Sequence, residues 1–258
     1  MRWKFENTLK KNNGGVLLED DTMIILNKPA GLLVLPDRFD RKLVNLYELL
    51  KEVFGTIFIV HRIDRETSGV VLFAKTAEMH ALMNTAFEQR RVEKLYRAIV
   101  VGSPSADSGC IDLPIAENEH GMRKMKIDKK NGKEAVTEYK VTGKFSGYAL
   151  VEAKPHTGRT HQIRVHLSAI GLPILADSLY SNSGSFFLSS IKRNYKASGE
   201  EKPILARTAL HAFSLSFLHP VTGEKMVIEA PIPKDMETVL KVLKKYGKVK
   251  SEQHIDFN

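Results

Sequence analysis

Short apolar runs of strand length recur along most of this 258-residue chain, and they constrain its fold more than any other feature. Such runs, rich in Val, Ile, Leu, Phe and Tyr and bounded by turn residues, are typical of β-strands. We predict strands within residues 16–36, 56–60, 70–76, 94–102, 147–155, 210–220 and 225–231. Helical spacing of apolar residues is confined to a few segments. We predict helices over 45–55, from a Thr76 N-cap to Gln89, from a Thr160 N-cap to Gly171, and from Asp235 onward. This combination of many strands with a few helices predicts an α+β fold with one extended mixed sheet.

The chain shows no internal repeat and no clean linker, so residues 16–258 are expected to form one domain. Residues 1–15 are polar, and we predict a flexible N-terminal arm. Residues 178–202 contain seven serines and are predicted to be an insertion loop.

The segment HRIDRETSG, residues 61–69, forms a loop between two predicted strands. It places Asp64 between Arg62 and Arg65. One interpretation is a surface salt-bridge cluster, worth roughly 0 to 1 kcal/mol. The other is that Asp64 is an anionic catalyst in a site that receives a polyanion.

The charge balance is basic, with 39 Lys and Arg against 30 Asp and Glu and a net charge of +9. Such an excess of positive charge either favours binding to a polyanionic partner or contributes to solubility alone. The basic segment 121–144 fits both interpretations, since it can be a solvated face or a hairpin that grips a phosphate backbone. Cys110 is the only cysteine, and no apolar stretch approaches the roughly 18 residues of a membrane span. We therefore expect a cytoplasmic protein that does not contact a membrane.

Common cofactor motifs do not occur in the sequence. There is no Walker A sequence, no GxGxxG, and Ser68 lies in Thr-Ser-Gly rather than in a G-x-S-x-G elbow. His161 and His166 are five positions apart on the predicted helix, roughly 140° around its axis, and cannot share a metal. We expect neither a cofactor nor a metal.

A catalytic carboxylate must be ionised and held still, and a nearby cation does both. Arg164, near the start of the third predicted helix, is an inward-reaching candidate, although an ordinary solvated arginine fits equally well. Tyr96 lies in the middle of a predicted strand, where a half-buried aromatic residue is common. Neither residue is decisive alone.

Six segments taken together are more specific. They are KPAGLLV (28–34), HRIDRETSGVVLFAKT (61–76), KLYRAIVVG (94–102), KPHTGRTHQIRVHL (154–167), PILAD (173–177) and LHAFSLSFLHP (210–220). In this order they closely resemble the RluA-type family of RNA pseudouridine synthases, over about residues 16–234. The resemblance implies the pseudouridine synthase fold, with two half-domains on one mostly antiparallel sheet and an active-site cleft between them.

The resemblance also implies roles for individual residues. Asp64 matches the catalytic aspartate, Tyr96 the aromatic that stacks on the target uracil, and Arg164 the cation paired with the aspartate. Leu95 and Ile163 would line the pocket. The candidate RNA-binding residues are Arg62, Arg65, His61, Lys94, Arg159, His161, Arg123, Lys124 and Lys126. Ala176-Asp177 departs from the Gly-Asp that is common in the family.

The implied reaction is the isomerisation of uridine to pseudouridine in ribosomal or transfer RNA by an enzyme without a cofactor. We expect a monomer. Many relatives carry an S4 RNA-binding domain upstream, whereas only about 15 residues precede the match here. RNA choice is therefore expected to depend on the catalytic domain, its basic segment 121–144 and the insertion at 178–202. One alternative is a non-catalytic RNA-binding protein on the same scaffold, but Asp64, Tyr96 and Arg164 are all present. A glycoside hydrolase is another, and it needs a second distinctive carboxylate that the sequence does not show.

Overall fold

A computed structural model describes residues 1–11, 14–37, 39–118, 124–197 and 199–247. These residues form five α-helices and twelve β-strands. The helices are α1 Arg2–Lys11, α2 Leu46–Phe54, α3 Ala77–Glu88, α4 Gln162–Ala169 and α5 Lys234–Tyr246. The strands are β1 Gly15–Glu19, β2 Met23–Lys28, β3 Phe58–Ile59, β4 Ser68–Ala74, β5 Glu93–Val101, β6 Ser108–Asp112, β7 Ile115–Glu117, β8 Met125–Ile127, β9 Val136–Phe145, β10 Tyr148–Pro155, β11 Leu210–Leu218 and β12 Lys225–Glu229.

Ten of these strands form one extended sheet in the order β1-β2-β4-β11-β5-β10-β9-β6, with β3 paired to β4 and β12 paired to β11. Among the described strands, β4 and β11 are the parallel pair, and their register covers only Ser68 with His211 and Gly69 with Ala212. The predicted α+β class with a mixed, mostly antiparallel sheet is therefore confirmed.

The β4–β11 junction joins two halves with separate cores. One half packs α1 and α2 on one face of β2 and β4 and α3 on the other, and the second half packs α4 and α5 against β5, β10 and β11. Gly69 has a φ of +115°, and a Cβ there would overlap the Ala212 carbonyl. A glycine is required at this junction because the two backbones approach so closely.

Two of the predicted helices have the expected ends. Asn45 and Thr76 cap α2 and α3 through their side chains, which accept the backbone N–H groups of Glu48 and Met79. These caps satisfy amide groups that have no partner within the helix. Gly55 follows α2 with a φ of +75° and ends it.

The prediction of a flexible arm over residues 1–15 is wrong for Arg2–Lys11, which form α1. Phe5 and Leu9 are buried against α2. Their spacing of four residues places both side chains on one helix face, so burial of that face stabilises a helix whose other residues are polar apart from the exposed Trp3.

Two predicted helix starts also differ from the structure. The N-cap of α4 is His161, in the left-handed region with a φ of +55°, and not Thr160. The first N–H of the helix, that of Gln162, donates instead to the Arg159 carbonyl at 3.1 Å. Helix α5 begins one residue before Asp235, whose carboxylate binds Arg207.

The basic segment does not form a hairpin around its Asn-Gly turn. Strand β8 pairs with β7, whereas β9 pairs with β10 and β6. Within residues 178–202, the described part is irregular apart from a short 3-10 turn at Leu188–Ser190, and it inserts Phe186 into the core. None of the described helices has the length and apolar character needed to cross a membrane.

Candidate active site

The loop that carries Asp64 connects β3 to β4 and is tied to the segment after β2. The Arg65 carbonyl accepts the Gly31 N–H at 2.8 Å and the Lys28 ammonium at 3.0 Å. The Asp64 carbonyl accepts the Thr67 N–H at 3.2 Å, which closes a turn behind the carboxylate. These backbone contacts hold the Asp64 loop in one position before any substrate arrives.

Lys28 is fully buried beneath this loop. Besides Arg65, its ammonium donates to the carbonyls of Pro29 at 2.9 Å and Leu32 at 2.7 Å, so each of its three N–H bonds has an acceptor. Burial lowers the pKa of Lys28 to about 7. The sequence contains Lys28 within the family motif KPAGLLV, but nothing in its residue type predicts a buried anchor for the Asp64 loop.

Arg164 lies between two carboxylates at the start of α4. It binds Asp177 through two bonds, Nε to Oδ2 at 2.7 Å and Nη2 to Oδ1 at 2.8 Å, and it donates from Nη1 to Oδ2 of Asp64 at 3.2 Å. Burial opposes its charge, but the hydrogen bonds and charge of Asp177, followed by those of Asp64, raise the pKa of Arg164 above its usual value. The guanidinium is therefore a permanent cation that Asp177 aims at Asp64.

Asp64 keeps 21% of its side chain exposed, whereas the Asp177 side chain is completely buried. Asp177 therefore cannot reach a substrate. Its two oxygens are occupied by Arg164 and by the backbone N–H groups of Leu179 and Tyr180. The structure thus separates a partly exposed carboxylate at the surface of the site from a buried one behind it.

A cavity of about 280 Å³ opens beside Asp64, between the two halves of the molecule. Lys94 and Tyr96 enter it from β5, and Ile163 and Arg164 enter it from α4. Leu95 does not line it, because successive residues of a strand point to opposite faces. The prediction of Leu95 as a pocket residue is therefore wrong.

Burial and the negative charge of Asp64 raise the pKa of Tyr96 above its usual range, so its hydroxyl stays protonated. Lys94 donates to the Thr157 carbonyl at 3.3 Å, and burial lowers its pKa. The cavity thus combines an aromatic ring, a carboxylate and cations. Such a site can hold a planar base attached to a phosphate-bearing chain.

The predicted RNA-binding residues divide into three groups. Arg62, Arg159, His61 and His161 lie on the cavity wall with Lys94. Arg65 lies outside the wall and donates to the Gly31 carbonyl. Lys124 and Lys126 lie on the β8 segment, where Lys126 pairs with Asp128 at 3.3 Å, and Arg123 falls outside the described residues.

The two cavity histidines are in different environments. The Nε2 atom of His61 accepts the Leu72 N–H at 3.0 Å, and its ring stacks on Phe87. Burial lowers the pKa of His61 to about 3. His61 therefore uses its acceptor nitrogen to hold β4, and an RNA contact by this residue stays a prediction. His161 instead faces Asp64, with Nε2 at 3.8 Å from Oδ2.

His166 lies inside the second half and faces away from the cavity. Its Nδ1 contacts the Thr137 hydroxyl and its Nε2 contacts the Leu113 carbonyl, both at 2.9 Å. Within the described ranges, no group of three or more His, Cys, Asp or Glu side chains is arranged to hold a metal ion.

Comparison with known proteins gives consistent results. A model of the RNA pseudouridylate synthase family matches residues 22–169. The ribosomal large subunit pseudouridine synthase D of Neisseria meningitidis serogroup B is 38% identical over 234 residues, which cover 89% of this chain and 61% of that protein. The enzyme of the same name from Zymomonas mobilis is 37% identical over 238 residues, covering 88% and 72%. The solved structure of human RNA Pseudouridylate Synthase Domain Containing 4 is 28% identical, with a TM-score of 0.70 and coverage of 95% and 98%.

Proposed function

Because the chain belongs to the RluA-type family of RNA pseudouridine synthases, we propose that it isomerises uridine to pseudouridine in a structured RNA. The observation that carries this proposal is the geometry of Asp64. Its carboxylate is partly exposed on a wall of the cavity, is held by Arg164 at 3.2 Å, and lies in a cavity that Tyr96 also lines. A site of this kind offers one anion for chemistry and a surrounding set of cations for RNA.

The reaction breaks the bond between C1′ and N1 of the uridine and joins C1′ to C5 of the same base. The proton that leaves C5 is balanced by one gained at N1, so the product has the composition of the substrate. No electrons are transferred and no second substrate is consumed. The proposed role of Asp64 is to act as the ionised group at the reacting carbons, and Arg164 keeps it ionised and oriented.

The target base must leave its stack to reach this cavity, which costs a few kcal/mol. Stacking on the Tyr96 ring returns about 1–3 kcal/mol for one base. Arg62 and Arg159 at the cavity wall are proposed to hold the phosphates on either side of the flipped nucleotide. The residues of the basic segment, Lys124 and Lys126, extend this proposed contact along the RNA.

The names of the two bacterial relatives favour ribosomal large-subunit RNA over transfer RNA as the substrate. One chain supplies every residue of the proposed site, so the enzyme is proposed to act as a monomer. It is also proposed to act in the cytoplasm. The chain spans 61% of the length of the Neisseria protein.

Mapping of pseudouridine in cells tests this proposal. The gene would be deleted and restored as the wild type, as Asp64→Asn, or as Asp21→Asn at an exposed acid away from the cavity. We expect carbodiimide-based sequencing to show one or more positions in ribosomal RNA that vanish on deletion and return with the wild type and Asp21→Asn only. Restoration by Asp64→Asn would refute the role of the carboxylate, and an unchanged map after deletion would refute the function.

A further inference from the structure

Tyr180 connects three parts of the molecule that contribute to the proposed site. Its hydroxyl oxygen lies 2.7 Å from the backbone nitrogen of Met125 on β8 and 2.9 Å from Nδ1 of His161 at the start of α4. Its own N–H donates to Asp177, and its ring centre lies 5.1 Å from the Arg164 guanidinium. The residue therefore touches the basic segment, His161 and the Arg164–Asp177 pair at once.

Among the described residues, one arrangement gives every donor and acceptor around this hydroxyl a partner. A backbone amide can only donate, so the Met125 N–H uses a lone pair of the phenol oxygen. The phenol hydrogen then goes to Nδ1 of His161. If Nδ1 carried a hydrogen instead, two donors would meet at the phenol oxygen, and the phenol hydrogen would have no acceptor among the described residues.

Burial lowers the pKa of His161 below its usual value despite the opposing charge of Asp64, which favours the neutral ring. A neutral imidazole that accepts at Nδ1 carries its hydrogen on Nε2. This is the atom that lies 3.8 Å from Oδ2 of Asp64. The ring nitrogen nearer to Asp64 is therefore the one that carries the hydrogen.

We propose that Tyr180 is a positioning residue whose hydroxyl fixes His161 as the Nε2–H tautomer and thereby links the β8 backbone to the Asp64 carboxylate. Its effect on the reaction rests on the proposed function, whereas the tautomer does not. When β8 is seated on Tyr180, His161 presents a neutral N–H toward Asp64, in addition to the charged donor Arg164. The Met125 N–H thus connects the backbone of β8, in the basic segment, to the site through Tyr180 and His161.

The tautomer is measured by long-range proton–nitrogen NMR on protein labelled with ¹⁵N-histidine. The His161 signal is assigned by its loss in His161→Asn, a substitution that the left-handed conformation tolerates. We expect a single Nε2–H tautomer in the wild type and a mixture of tautomers in Tyr180→Phe. Amide exchange at Met125 should be faster in Tyr180→Phe and unchanged in the control Tyr148→Phe, whose ring is also half-buried. An Nδ1–H tautomer in the wild type would overturn the proposal. So would a His161 tautomer that is the same in the wild type and in Tyr180→Phe.

Kinetics then test the link to catalysis. Tyr180→Phe should lower kcat at saturating RNA by about 3- to 10-fold with little change in KM, the size expected for one hydrogen bond. In a His161→Asn background the same substitution should cause no further loss, because Tyr180 acts through His161. A full additional loss there would overturn the positioning role. If the wild type isomerises no uridine at all, the proposed function fails while the NMR result still decides the tautomer.

Discussion

Asp177→Asn tests whether a buried carboxylate holds the cation of the proposed site. Arg164 is only 6% exposed, and loss of its doubly bonded partner leaves it with Asp64 alone at 3.2 Å. Removal of one partner from a buried ion pair costs about 3–5 kcal/mol, because the other charge remains out of water. Two backbone N–H groups also lose part of their acceptor, so we expect the upper half of that range.

The chain contains a matched control. Arg207 binds Asp235 with the same pair of distances, 2.7 and 2.8 Å, but the Asp235 side chain is 32% exposed. Arg207 also donates to the carbonyls of Thr208 and Leu210. Solvent screens this pair, so Asp235→Asn should cost about 1 kcal/mol or less.

Urea unfolding, followed by circular dichroism and tryptophan fluorescence, measures both variants. We expect Asp177→Asn to lower the free energy of unfolding by at least about 2 kcal/mol more than Asp235→Asn, with equal urea dependence. Equal losses in the two variants would show that burial does not set the strength of the Arg164–Asp177 pair, and would refute the structural role of Asp177.

Three further predictions concern pH, salt and the aromatic ring of the cavity. Burial lowers the pKa of His211 to about 4, so between pH 4 and 6.5 the unfolded chain binds a proton that the folded chain does not. The contribution of neutral His211 to the free energy of unfolding is therefore complete above the unfolded pKa of about 6.5. It falls by up to about 1.4 kcal/mol per pH unit as the pH drops toward 4. His211→Asn should flatten this slope in urea unfolding, and an unchanged slope would contradict the assignment. Replacement of Arg123, Lys124 and Lys126 by Gln should reduce the slope of log K against log salt by roughly 1–3 units, whereas a solvated face predicts no change. Tyr96→Leu should weaken RNA binding by about 1–3 kcal/mol and Tyr96→Phe should not, and equal losses would exclude stacking.

The sequence predicted features that depend on local pattern. Strands β4 and β5, helices α2 and α3, and the Thr76 cap of α3 follow from residue spacing and from a side chain that bonds to a nearby amide. Helix α1 was missed although Phe5 and Leu9 have helical spacing, since one such pair in a mostly polar segment gives a weak signal. Its stability comes from packing on α2 and not from the segment alone.

The proposed site likewise contains contacts that the sequence predicted and contacts that it did not. The resemblance brought Asp64 and Arg164 together across 100 positions of sequence, and the structure places them in contact. The supporting contacts of Asp177, Lys28 and Tyr180 were not predicted. Each depends on which backbone groups and side chains the folded chain brings beside it, and a sequence without the fold does not specify these neighbours. The departure at Ala176 gave a partial signal, because this residue adopts a φ of +56°, where Gly is the common choice.

The most direct test of the central claim is tritium release from RNA labelled at C5 of uracil, with purified wild type and Asp64→Asn compared on the same ribosomal RNA. The Asn side chain has nearly the shape of Asp but cannot be an anion, and the many cationic contacts remain. We expect the wild type to release tritium in proportion to the pseudouridine formed, and Asp64→Asn to release none while it binds the RNA within a few fold of the wild type. Appreciable tritium release by Asp64→Asn would contradict the account.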